Sequence, residues 1–470
     1  MRIYNTMTRQ KQALETLEPG VVKMYVCGPT VYDFFHLGNA RPFITFDTLR
    51  RYLEYKGLEV VYVQNFTDID DRMILRANEE GITVRELADR MIDEYFKDAD
   101  GLNIRRATMH PRATDNIDVM LDMISVLEEK GYAYVSTTGV YFDMEAFERY
   151  GRLSGQKIDQ LEEGAGQRVD TSDDKRHPLD FALWKFKKPD EPFFSSPWGD
   201  GRPGWHIECS AMVKAHLGET IDLHCGGQDL VFPHHENEIA QSEAANGTLF
   251  AKQWMHNGFV NIDHVKMAKS AGNFMTVREL AEDYPYEILR FFILQAHYRM
   301  PINFSDDLLD AAVSSFERIR TAVENLEFFA KSPFESIDPE ADAALQSAIE
   351  EAKRDWDAGM SDDLNTADAM AAIFELVRAA NQAMKNRNVN AATLVAAKDA
   401  LLLMLDVMGL DPRAKEATVP ESILQLVEQR AKAKAEREFA EADRLRDEVE
   451  SLGFKIEDTP QGPKVSPLDA

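Results

Sequence analysis

The feature that most constrains the fold of this chain is a strand, helix and strand pattern near its start. Val21–Val26 is a largely apolar run that predicts a buried strand, and Pro42–Tyr55 carries apolar residues at helical spacing. After a break at Lys56 and Gly57, the apolar run Leu58–Phe66 predicts the next strand, parallel to the first. Because these elements form a βαβ unit, we expect an α/β fold built on a parallel sheet.

The segment between the first strand and the helix is the first candidate site. Cys27 stands at the mouth of a turn, and His36 to Asn39 form a His-x-Gly-x step into the helix. Such a step directs backbone N–H groups and a helix N-terminus at a ligand above the sheet, a geometry that suits phosphate. Thr67–Asp71 follows the second strand, at the carboxyl edge where ligands of open α/β sheets bind.

Patterns elsewhere place the remaining elements. Helical spacing predicts helices over Ile82–Leu127, His206–His216, Phe304–Leu410 and Glu421–Leu452. Strand patterns cover Ser136–Asp143 and Thr220–Leu223, whereas Leu153–Asp174 is Gly-rich and acidic without a clear period. Pro420 and the residues before it suggest a hinge.

Composition limits the classes of protein and the partners that we expect. Of 470 residues 44% are apolar, but no run approaches the roughly 18 needed to span a membrane. The first residues lack the apolar core of a secretory signal, and three scattered cysteines are too few for a disulfide scaffold. We therefore expect a cytoplasmic protein without a membrane partner. The net charge of −28 argues against nucleic acid, unless a local basic strip contacts its backbone.

A second candidate site is a helix start with adjacent metal-binding side chains. Pro233 suits the first turn of a helix, which places His234 and Glu238 one turn apart on one face. If Cys27 and Cys209 converge on that face, the set is two thiolates, an imidazole and a carboxylate, all of which zinc accepts. Spacing does not establish this convergence, since the residues lie on three segments. A solvated His and Glu pair on a helix surface is the alternative.

Three further short motifs are each weak by themselves. Lys266 and Lys269 lie in a loop flanked by glycine, where they can contact a polyphosphate or simply be solvated. Gly226–Asp229 is a strand-end turn whose carboxylate suits ribose hydroxyls, and Trp254–Asn257 offers polar side chains to a base.

Together these motifs resemble the two signatures of class I aminoacyl-tRNA synthetases, with His36–Asn39 as the first and Lys266–Ser270 as the second. Longer motifs resemble the cysteinyl-tRNA synthetases within that class, namely Asn65–Asp71, Gly204–Met212 and Phe232–Gln241. The resemblance runs from Tyr4 to about Pro460. It implies a Rossmann-like nucleotide-binding sheet with an inserted module, followed by an α-helical bundle and a small C-terminal domain.

The resemblance also implies a two-step reaction. The carboxylate of L-cysteine attacks the α-phosphate of ATP, which is bound with Mg²⁺, and the cysteinyl group then passes from the adenylate to the terminal ribose of cysteine tRNA. Chemistry of this kind depends on positioning and charge stabilisation, so no protein nucleophile is needed. A monomer is expected.

Residue roles are carried over from the matching motifs. His36 and Asn39, with Thr30 nearby, are expected to contact the phosphates, and Lys266 and Lys269 to stabilise the charge that develops on pyrophosphate. Adenosine is assigned to Gly227, Asp229, His256 and Asn257. The cysteine substrate is assigned to Gly28, Thr67, Trp205 and His206.

One Zn²⁺ per chain is implied, on Cys27, Cys209, His234 and Glu238. It would bind the substrate thiol as a soft thiolate and so discriminate against serine, whose hydroxyl is a poorer ligand. Cys225 stands where the family usually has Gly, and a small buried thiol is favoured there over an additional ligand.

The implied domains follow the chain. The catalytic nucleotide-binding domain covers 1–114 and 200–250, and a connective insertion at 115–199 interrupts it. It is followed by a stem-contact region with the lysine loop at 251–310, a helical bundle at 311–415 and an anticodon-binding domain at 416–470. In the last domain basic residues alternate with acids, which fits tRNA contact or a salt-bridged helix surface, namely Arg430, Lys432, Lys434, Arg437, Arg444 and Arg446.

Two alternatives remain from the sequence. A ligase that joins cysteine to an amino-sugar in thiol biosynthesis shares both signatures and the zinc residues but lacks the C-terminal module. A non-catalytic RNA-binding protein is the other, although such a protein would be expected to lose the phosphate signatures first.

Overall fold

The computed structural model describes the chain in segments, residues 1–155, 175–189, 191–262, 265–267, 274–331, 334, 336–413, 421–435, 438–459 and 462–467. It divides into two compact units. Unit 1 comprises Met1–Val313, Asp355–Ala371 and Val407–Leu410. Unit 2 comprises Ser314–Arg354, Ala372–Asp406 and Asp411–Ala470.

The described residues form fifteen strands and fourteen α-helices. The strands are β1 (Arg2–Asn5), β2 (Gln10–Ala13), β3 (Val21–Val26), β4 (Glu59–Gln64), β5 (Ala133–Val135), β6 (Gly139–Phe142), β7 (Phe181–Phe186), β8 (Gly201–Pro203), β9 (Ile221–Gly227), β10 (Ala251–Asn257), β11 (Val260–Ile262), β12 (Val265–Lys266), β13 (Ile302–Phe304), β14 (Phe454–Thr459) and β15 (Gly462–Pro467). The helices are α1 (Leu37–Tyr55), α2 (Asp71–Glu80), α3 (Val84–Gly101), α4 (Ile117–Glu129), α5 (Trp205–His216), α6 (Glu236–Asn246), α7 (Val277–Asp283), α8 (Tyr286–Leu294), α9 (Asp306–Lys331), α10 (Pro339–Ser361), α11 (Thr366–Asn386), α12 (Ala391–Val407), α13 (Glu421–Ala435) and α14 (Phe439–Ser451).

A four-stranded parallel sheet in the order β10-β9-β3-β4 forms the centre of unit 1. Its strands are apolar and mostly buried, as expected of a parallel sheet covered on both faces. Because all four strands run the same way, their carboxyl ends, at Val26, Gln64, Gly227 and Asn257, lie along one edge. The predicted βαβ unit and the α/β fold class are confirmed.

Helix α1 begins at Leu37, five residues before the predicted start at Pro42. The ring of His36 caps the helix by accepting a hydrogen bond from the backbone N–H of Asn39 at 3.2 Å. The helical spacing of apolar residues predicted a start at Pro42, but here the cap sets the start and Pro42 lies inside the helix.

The helical pattern predicted over Ile82–Leu127 corresponds to α3 and α4, but residues 102–116, which separate them, are not α-helical. In this connection Met109 and Arg112 run parallel to β4 and its extension, and bridge Val63 and Phe66. Tertiary pairing with the sheet therefore overrides the local helical pattern. Helix α2, which the sequence did not predict, begins at Asp71 and is capped by Asp70, whose carboxylate accepts the N–H of Arg72 at 2.9 Å.

The insertion predicted at 115–199 contains α4 and three strands, β5, β6 and β7. With β8, which follows the insertion, these strands form an antiparallel sheet in the order β5-β6-β7-β8. Its core includes the fully buried Trp184. Most of the Gly-rich stretch Leu153–Asp174 lies outside the described residues. The six-segment domain division remains a prediction.

Asp363, in the connection between α10 and α11, is fully buried in unit 1 and joins segments that are remote in sequence. Its carboxylate accepts the backbone N–H of Tyr4 at 2.7 Å, the hydroxyl of Tyr298 at 2.7 Å and the guanidinium of Arg299 at 2.7 Å. The carboxylate thus ties β1 to the segment before β13.

Unit 2 is mainly helical, as predicted for Phe304–Leu410 and Glu421–Leu452. Near its C-terminal end α13, α14 and the hairpin β14–β15 share a small core of Ile423, Val427, Val449 and Ile456. The hinge predicted at Pro420 and the basic residue Arg437 lie outside the described residues. None of the helices in the described segments is long and apolar enough to cross a membrane.

Candidate active site and metal centre

Four buried side chains from three segments meet at the carboxyl edge of the parallel sheet. Cys27 directly follows β3, Cys209 lies on α5, His234 lies in the turn before α6, and Glu238 lies in the first turn of α6. The Sγ atoms of Cys27 and Cys209 are 3.8 Å apart, Glu238 Oε1 is 3.6 Å from Cys27 Sγ, and His234 Nε2 is 3.1 Å from Glu238 Oε1. The structure therefore brings together the four residues that the resemblance implied, in a cluster that could hold a metal ion.

A second donor set overlaps the first. Cys27 and Glu238 also lie close to His224 and His235, and these four could equally surround an ion. His224 Nε2 is 2.8 Å from Glu238 Oε2, and His235 Nε2 is 3.3 Å from Cys27 Sγ. The two oxygens of Glu238 thus face different partners. Oε1 faces Cys27 and His234, whereas Oε2 faces His224.

A chain of hydrogen bonds supports Cys27 from the side of β10. Thr6 Oγ1 is 2.8 Å from His256 Nδ1, His256 Nε2 is 2.8 Å from His235 Nδ1, and His235 Nε2 reaches Cys27 Sγ. If the Thr6 hydroxyl donates, each ring accepts at Nδ1 and donates at Nε2, so that the last N–H points at the sulfur. Both ring nitrogens of His256 are engaged in this chain, and its ring is buried.

On the outer side of the cluster, Trp205 and His206 contact His234. The Trp205 and His234 rings stack with centroids 4.2 Å apart, and Trp205 remains 37% exposed. His206 Nδ1 lies 2.9 Å from His234 Nδ1. Trp205 is therefore a surface aromatic beside the cluster, where a substrate could reach it, and not a core residue.

Gly28 and Thr67 link the ends of β3 and β4. A Cβ atom on Gly28 would lie 1.7 Å from the carbonyl oxygen of Asn65, so only glycine allows this approach. The Gly28 N–H donates to Asn65 Oδ1 at 2.9 Å. Thr67 is buried and donates its hydroxyl to Glu208 Oε2 at 2.8 Å, so its side chain already has a partner.

Burial favours the neutral forms of Cys27, Glu238 and the histidines around them. It raises the pKa of the Cys27 thiol and of the Glu238 carboxyl well above their usual values. It lowers the pKa of His206, His224 and His256 to about 3. It also lowers the pKa of His234 and His235 well below 6.5. Two thiolates and a carboxylate can coexist here only if a cation compensates their charge.

The predicted phosphate-binding residues lie at the start of α1. His36 is half-buried as the cap of the helix, and Asn39 is exposed in its first turn. Thr30 follows β3, bridges Thr67 after β4 and accepts a hydrogen bond from Arg72 at 3.1 Å. The N-terminus of α1 thus opens on the same edge of the sheet as the buried cluster of Cys27, Cys209, His234 and Glu238, a geometry that suits an anion.

The predicted adenosine-binding residues lie at the ends of β9 and β10. Gly227 ends β9, and a Cβ atom there would lie 2.5 Å from Asp229 Oδ1. Asp229 is exposed in the following turn. Asn257 ends β10 and is 3% exposed, and among the described residues its Oδ1 has no hydrogen-bond partner. An unpaired buried acceptor at this edge suits a ligand N–H donor.

The second signature lies in part outside the described residues. Lys266 is on β12, opposite Asn261 of β11, whereas Lys269 falls in the undescribed stretch 268–273. Met267 between them is 2% exposed, and its Sδ would lie 3.9 Å from a Cβ atom on Gly38. The two signatures are therefore neighbours in the fold.

Sequence reasoning did not single out His224, His235 or Glu208 as parts of the site. The histidine doublet His234–His235 was visible, but only the distances show that the second ring faces Cys27. Cys225 is fully buried in β9 and belongs to neither donor set among the described residues. It therefore fits the predicted buried thiol.

Comparisons with known proteins agree with this geometry. A family model described as the tRNA synthetases class I (C) catalytic domain matches residues 13–314, and a DALR domain model matches 355–410. A cysteine–tRNA ligase from Caldicellulosiruptor saccharolyticus is 57% identical over 467 residues, 99% of each chain. One from Clostridioides difficile is 52% identical over 466 residues, again 99% of each.

Solved structures show the same fold at low identity. The methionyl-tRNA synthetase of Mycobacterium tuberculosis in complex with methionyl-adenylate has a TM-score of 0.61 at 17% identity, covering 83% of this chain and 89% of that one. A ternary complex of LeuRS, tRNA and LeuAMS from Agrobacterium radiobacter has a TM-score of 0.62 at 11% identity, covering 84% of each.

The curated relatives do not favour the amino-sugar ligase, since each matches over 99% of its own length as a cysteine–tRNA ligase. The fold, the two neighbouring signatures and the match over more than half of the chain lead to one assignment. This chain belongs to the cysteine–tRNA ligases, with a catalytic domain of the class I aminoacyl-tRNA synthetases.

Proposed function

We propose that this enzyme activates L-cysteine with ATP, transfers it to cysteine tRNA, and selects the thiol of cysteine with a Zn²⁺ held by Cys27, Cys209, His234 and Glu238. Attachment of cysteine to tRNA is the reaction of the family. The observation that carries the role of zinc is the buried donor cluster at the same sheet edge as the N-terminus of α1.

The donor set fits zinc in chemistry and in spacing. Zinc takes sulfur, nitrogen and oxygen ligands in a tetrahedral array. Two thiolates at about 2.3 Å from one tetrahedral ion lie about 3.8 Å apart, and a bound imidazole nitrogen and carboxylate oxygen lie about 3.4 Å apart. The corresponding distances are 3.8 Å between Cys27 and Cys209, and 3.1 Å between His234 and Glu238.

The surrounding hydrogen bonds favour this set over the set with His224 and His235. A proton on His234 Nδ1, directed at His206, leaves the lone pair of Nε2 free for the metal. His224 donates to Glu238 Oε2 and leaves Oε1 on the side of the two cysteines. In this proposal His224 and His235 orient the ligands and are not ligands themselves.

Bound Zn²⁺ supplies a Lewis acid that prefers a thiolate to a hydroxyl ligand. The free-energy difference between these two ligands would exceed the roughly 1 to 3 kcal/mol by which an apolar pocket discriminates between similar substrates. Trp205 is exposed beside His234 and would cover the substrate side chain, with His206 behind it. Gly28 would give the substrate access to backbone at the end of β3. Thr67 would act through Glu208, because its hydroxyl is already bound.

ATP is assigned to the other half of the edge. The phosphates would meet the N–H groups at the start of α1, with His36, Asn39 and Thr30 around them. Gly227 and Asp229 would hold the ribose, and Oδ1 of Asn257 could accept from the adenine amino group. The ring of His256 is occupied, so its contribution would come through its backbone or through His235.

The remaining parts of the proposal concern charge, tRNA and assembly. Lys266 and Lys269 would stabilise pyrophosphate, with Mg²⁺ brought by ATP. Residues 416–470 would contact the anticodon, although Arg444 is already paired with Glu441 and Glu448. A reducing compartment such as the cytoplasm fits a chain whose three cysteines are all free and buried, and we propose that the enzyme acts as a monomer.

The test is exchange of pyrophosphate into ATP, measured with cysteine and with serine on the zinc-loaded enzyme. We expect exchange with cysteine and at least about 10³-fold less with serine, because discrimination rests on a metal–sulfur bond. Absence of exchange with cysteine would overturn the proposal. Cysteine tRNA and an amino-sugar are then offered separately, and acceptance of the amino-sugar alone would select the other ligase.

A further inference from the structure

Arg41 is a buried cation in a place where no function has been assigned to it. It lies on α1 two residues after Asn39, and its side chain is completely buried. Nη1 donates to the carbonyl of Phe259 at 2.7 Å, and Nη2 donates to the carbonyls of His297, at 3.3 Å, and Met300. Burial lowers its pKa to about 9, and no acidic side chain among the described residues forms an ion pair with it.

The three carbonyls belong to the two segments that lead into β11 and β13. Phe259 directly precedes β11, and its carbonyl also accepts the N–H of Ile302 at 2.9 Å. Met300 precedes β13, which runs parallel to β11. Gly258 approaches this segment so closely that a Cβ atom would lie 2.7 Å from the carbonyl oxygen of Arg299. A guanidinium spreads its donors over several nitrogens in one rigid plane and so reaches both segments in a fixed geometry, whereas the three donors of an ammonium lie on one freely rotating nitrogen.

Strand β11 in turn is paired with the strand on which the second signature begins. It pairs with β12, where Lys266 lies opposite Asn261, and Met267 donates its N–H to the carbonyl of Val260 at 2.9 Å. Met267 also packs against Gly38 of the first signature. The position of β12 relative to the start of α1 therefore depends on where β11 is held.

The chain beyond residues 268–273 is also joined to the start of α1. His36 bridges Thr276, the Leu37 N–H donates to the Met275 carbonyl at 3.2 Å, and the Val277 N–H donates to the Phe35 carbonyl at 3.1 Å. The exit of the lysine segment is thus fixed by backbone hydrogen bonds. On the side where the chain enters the lysine segment, the side chain of Arg41 links α1 to the residue before β11.

We infer that Arg41 is a positioning residue for cysteine activation, which holds the strand bearing Lys266 in register with His36 and Asn39 so that both signatures address one ATP molecule. The inference rests on the proposed ATP site. Displacement of a catalytic group by about 1 Å can cost on the order of 100-fold in rate, so a small shift of β12 suffices.

The chain offers a matched control in Arg290 on α8. This arginine is also completely buried, and it donates to the carbonyls of Leu102, Asn103 and Met408 at 3.0, 3.1 and 2.8 Å. Its ion-pair partner is Asp47. Arg290 therefore ties backbone segments together as Arg41 does, but within the described part of the chain its hydrogen bonds go to neither signature.

The experiment compares Arg41→Lys, Arg41→Met and Arg290→Met with the wild type. For each zinc-loaded protein we would measure Tm, zinc content, and kcat and KM for ATP and cysteine in pyrophosphate exchange. We expect Arg41→Lys to lower kcat about 10- to 100-fold, with zinc content unchanged and KM for cysteine within about twofold. Arg290→Met should lower Tm but keep kcat within about threefold.

Each outcome decides a separate question. Full kcat in Arg41→Lys, or an equal loss of kcat in Arg290→Met, would show that Arg41 is only structural. If Arg41→Met does not fold, Arg41→Lys still supplies the kcat. Wild-type enzyme without cysteine-dependent exchange would refute the proposed function itself, whereas normal wild-type exchange with unaffected Arg41 variants would refute this inference alone.

Discussion

The two halves of the candidate site differ in how much of their geometry is fixed before a ligand binds. At the metal end, Cys27, Cys209, His234 and Glu238 are at most 7% exposed, and each contacts the others or a supporting histidine. At the nucleotide end, Asn39 and Asp229 are exposed. One half is a preformed cluster, and the other is an open edge.

The difference follows from the polar groups that each half contains and from what satisfies them before a ligand binds. Buried thiols, a carboxyl and neutral imidazoles need partners within the protein, because water does not reach them. Backbone N–H groups at a helix start can be satisfied by water until a phosphate replaces it. A preformed cluster suits selection among amino acids, whereas an open edge suits ATP, which must enter and leave as adenylate and pyrophosphate.

The largest effect is expected from Cys209→Ser. Replacing a thiolate by a hydroxyl removes a soft ligand, so zinc content should fall from about one per chain towards zero, and kcat/KM for cysteine by about 10³-fold or more. Zinc is measured by elemental analysis and activity by pyrophosphate exchange. Cys225→Ser is the matched control, since Cys225 is equally buried but outside both donor sets, and it should keep its zinc.

Loss of zinc from the Cys225 variant with retention in the Cys209 variant would contradict the donor set. Equal loss from both would mean that any polar change in this core disrupts the cluster.

The next effect tests the open half alone. His36→Ala removes the cap of α1 and the phosphate contact that we propose for this ring, so kcat of exchange should fall about 100-fold while zinc content stays unchanged. Cap loss by itself should lower the free energy of unfolding by about 1 kcal/mol. If this variant loses zinc, the two halves are not independent, and the comparison fails.

A smaller effect should separate ligands from supporting residues. His224→Phe keeps a ring stacked near Trp254, whose centroid lies 4.3 Å from that of His224, but removes the hydrogen bond to Glu238 Oε2. Zinc affinity should fall about 10- to 100-fold, as for other residues that orient metal ligands. It is measured by competition with a chelator. Complete loss of zinc would instead favour the donor set that includes His224.

The smallest effect concerns stability and a histidine outside the cluster. His110 donates from Nδ1 to the carbonyl of Gln64 at 3.0 Å and accepts the N–H of Ala107 at Nε2 at 3.0 Å, so it must be neutral. Burial lowers its pKa to about 4. The stabilisation that this provides is complete above pH 6.5 and is lost as the pH falls through 4.

Lowering the pH from 7 to 5 should decrease the free energy of unfolding of the wild type by about 2 kcal/mol, because His110 stays neutral in the folded state and is protonated in the unfolded state. His110→Gln removes the titrating group, so it should lose correspondingly less over the same range. Urea unfolding at the two pH values measures the difference. An equal decrease in both proteins would show that His110 does not titrate as a buried neutral ring.

The sequence predicted local features well and long-range ones only through family resemblance. The apolar runs at Val21–Val26 and Leu58–Phe66 identified the parallel strands, because burial on both faces requires such runs. The start of α1 was misplaced, since the cap by His36 is a side-chain contact that periodicity does not reveal. Helix α2 was missed because its mixed charged sequence hides a start set by Asp70.

The site shows the same limit. That Cys27 meets Cys209 and Glu238 depends on the order of the strands, which residue spacing does not contain. The roles of His224 and Arg41 depend on single hydrogen bonds across the fold. Such contacts become predictable only when the strand order is known.

The carboxylate of Asp363 has a consequence for how the protein is made. It binds the N–H of Tyr4, which is 359 residues earlier in the sequence. At about 5 to 20 residues per second, a ribosome needs about 20 to 70 seconds to synthesise the chain between these partners. Unit 1 also includes Val407–Leu410, so it is complete only after that segment has been synthesised. A nascent chain arrested before residue 363 would lack the carboxylate that ties down its own beginning.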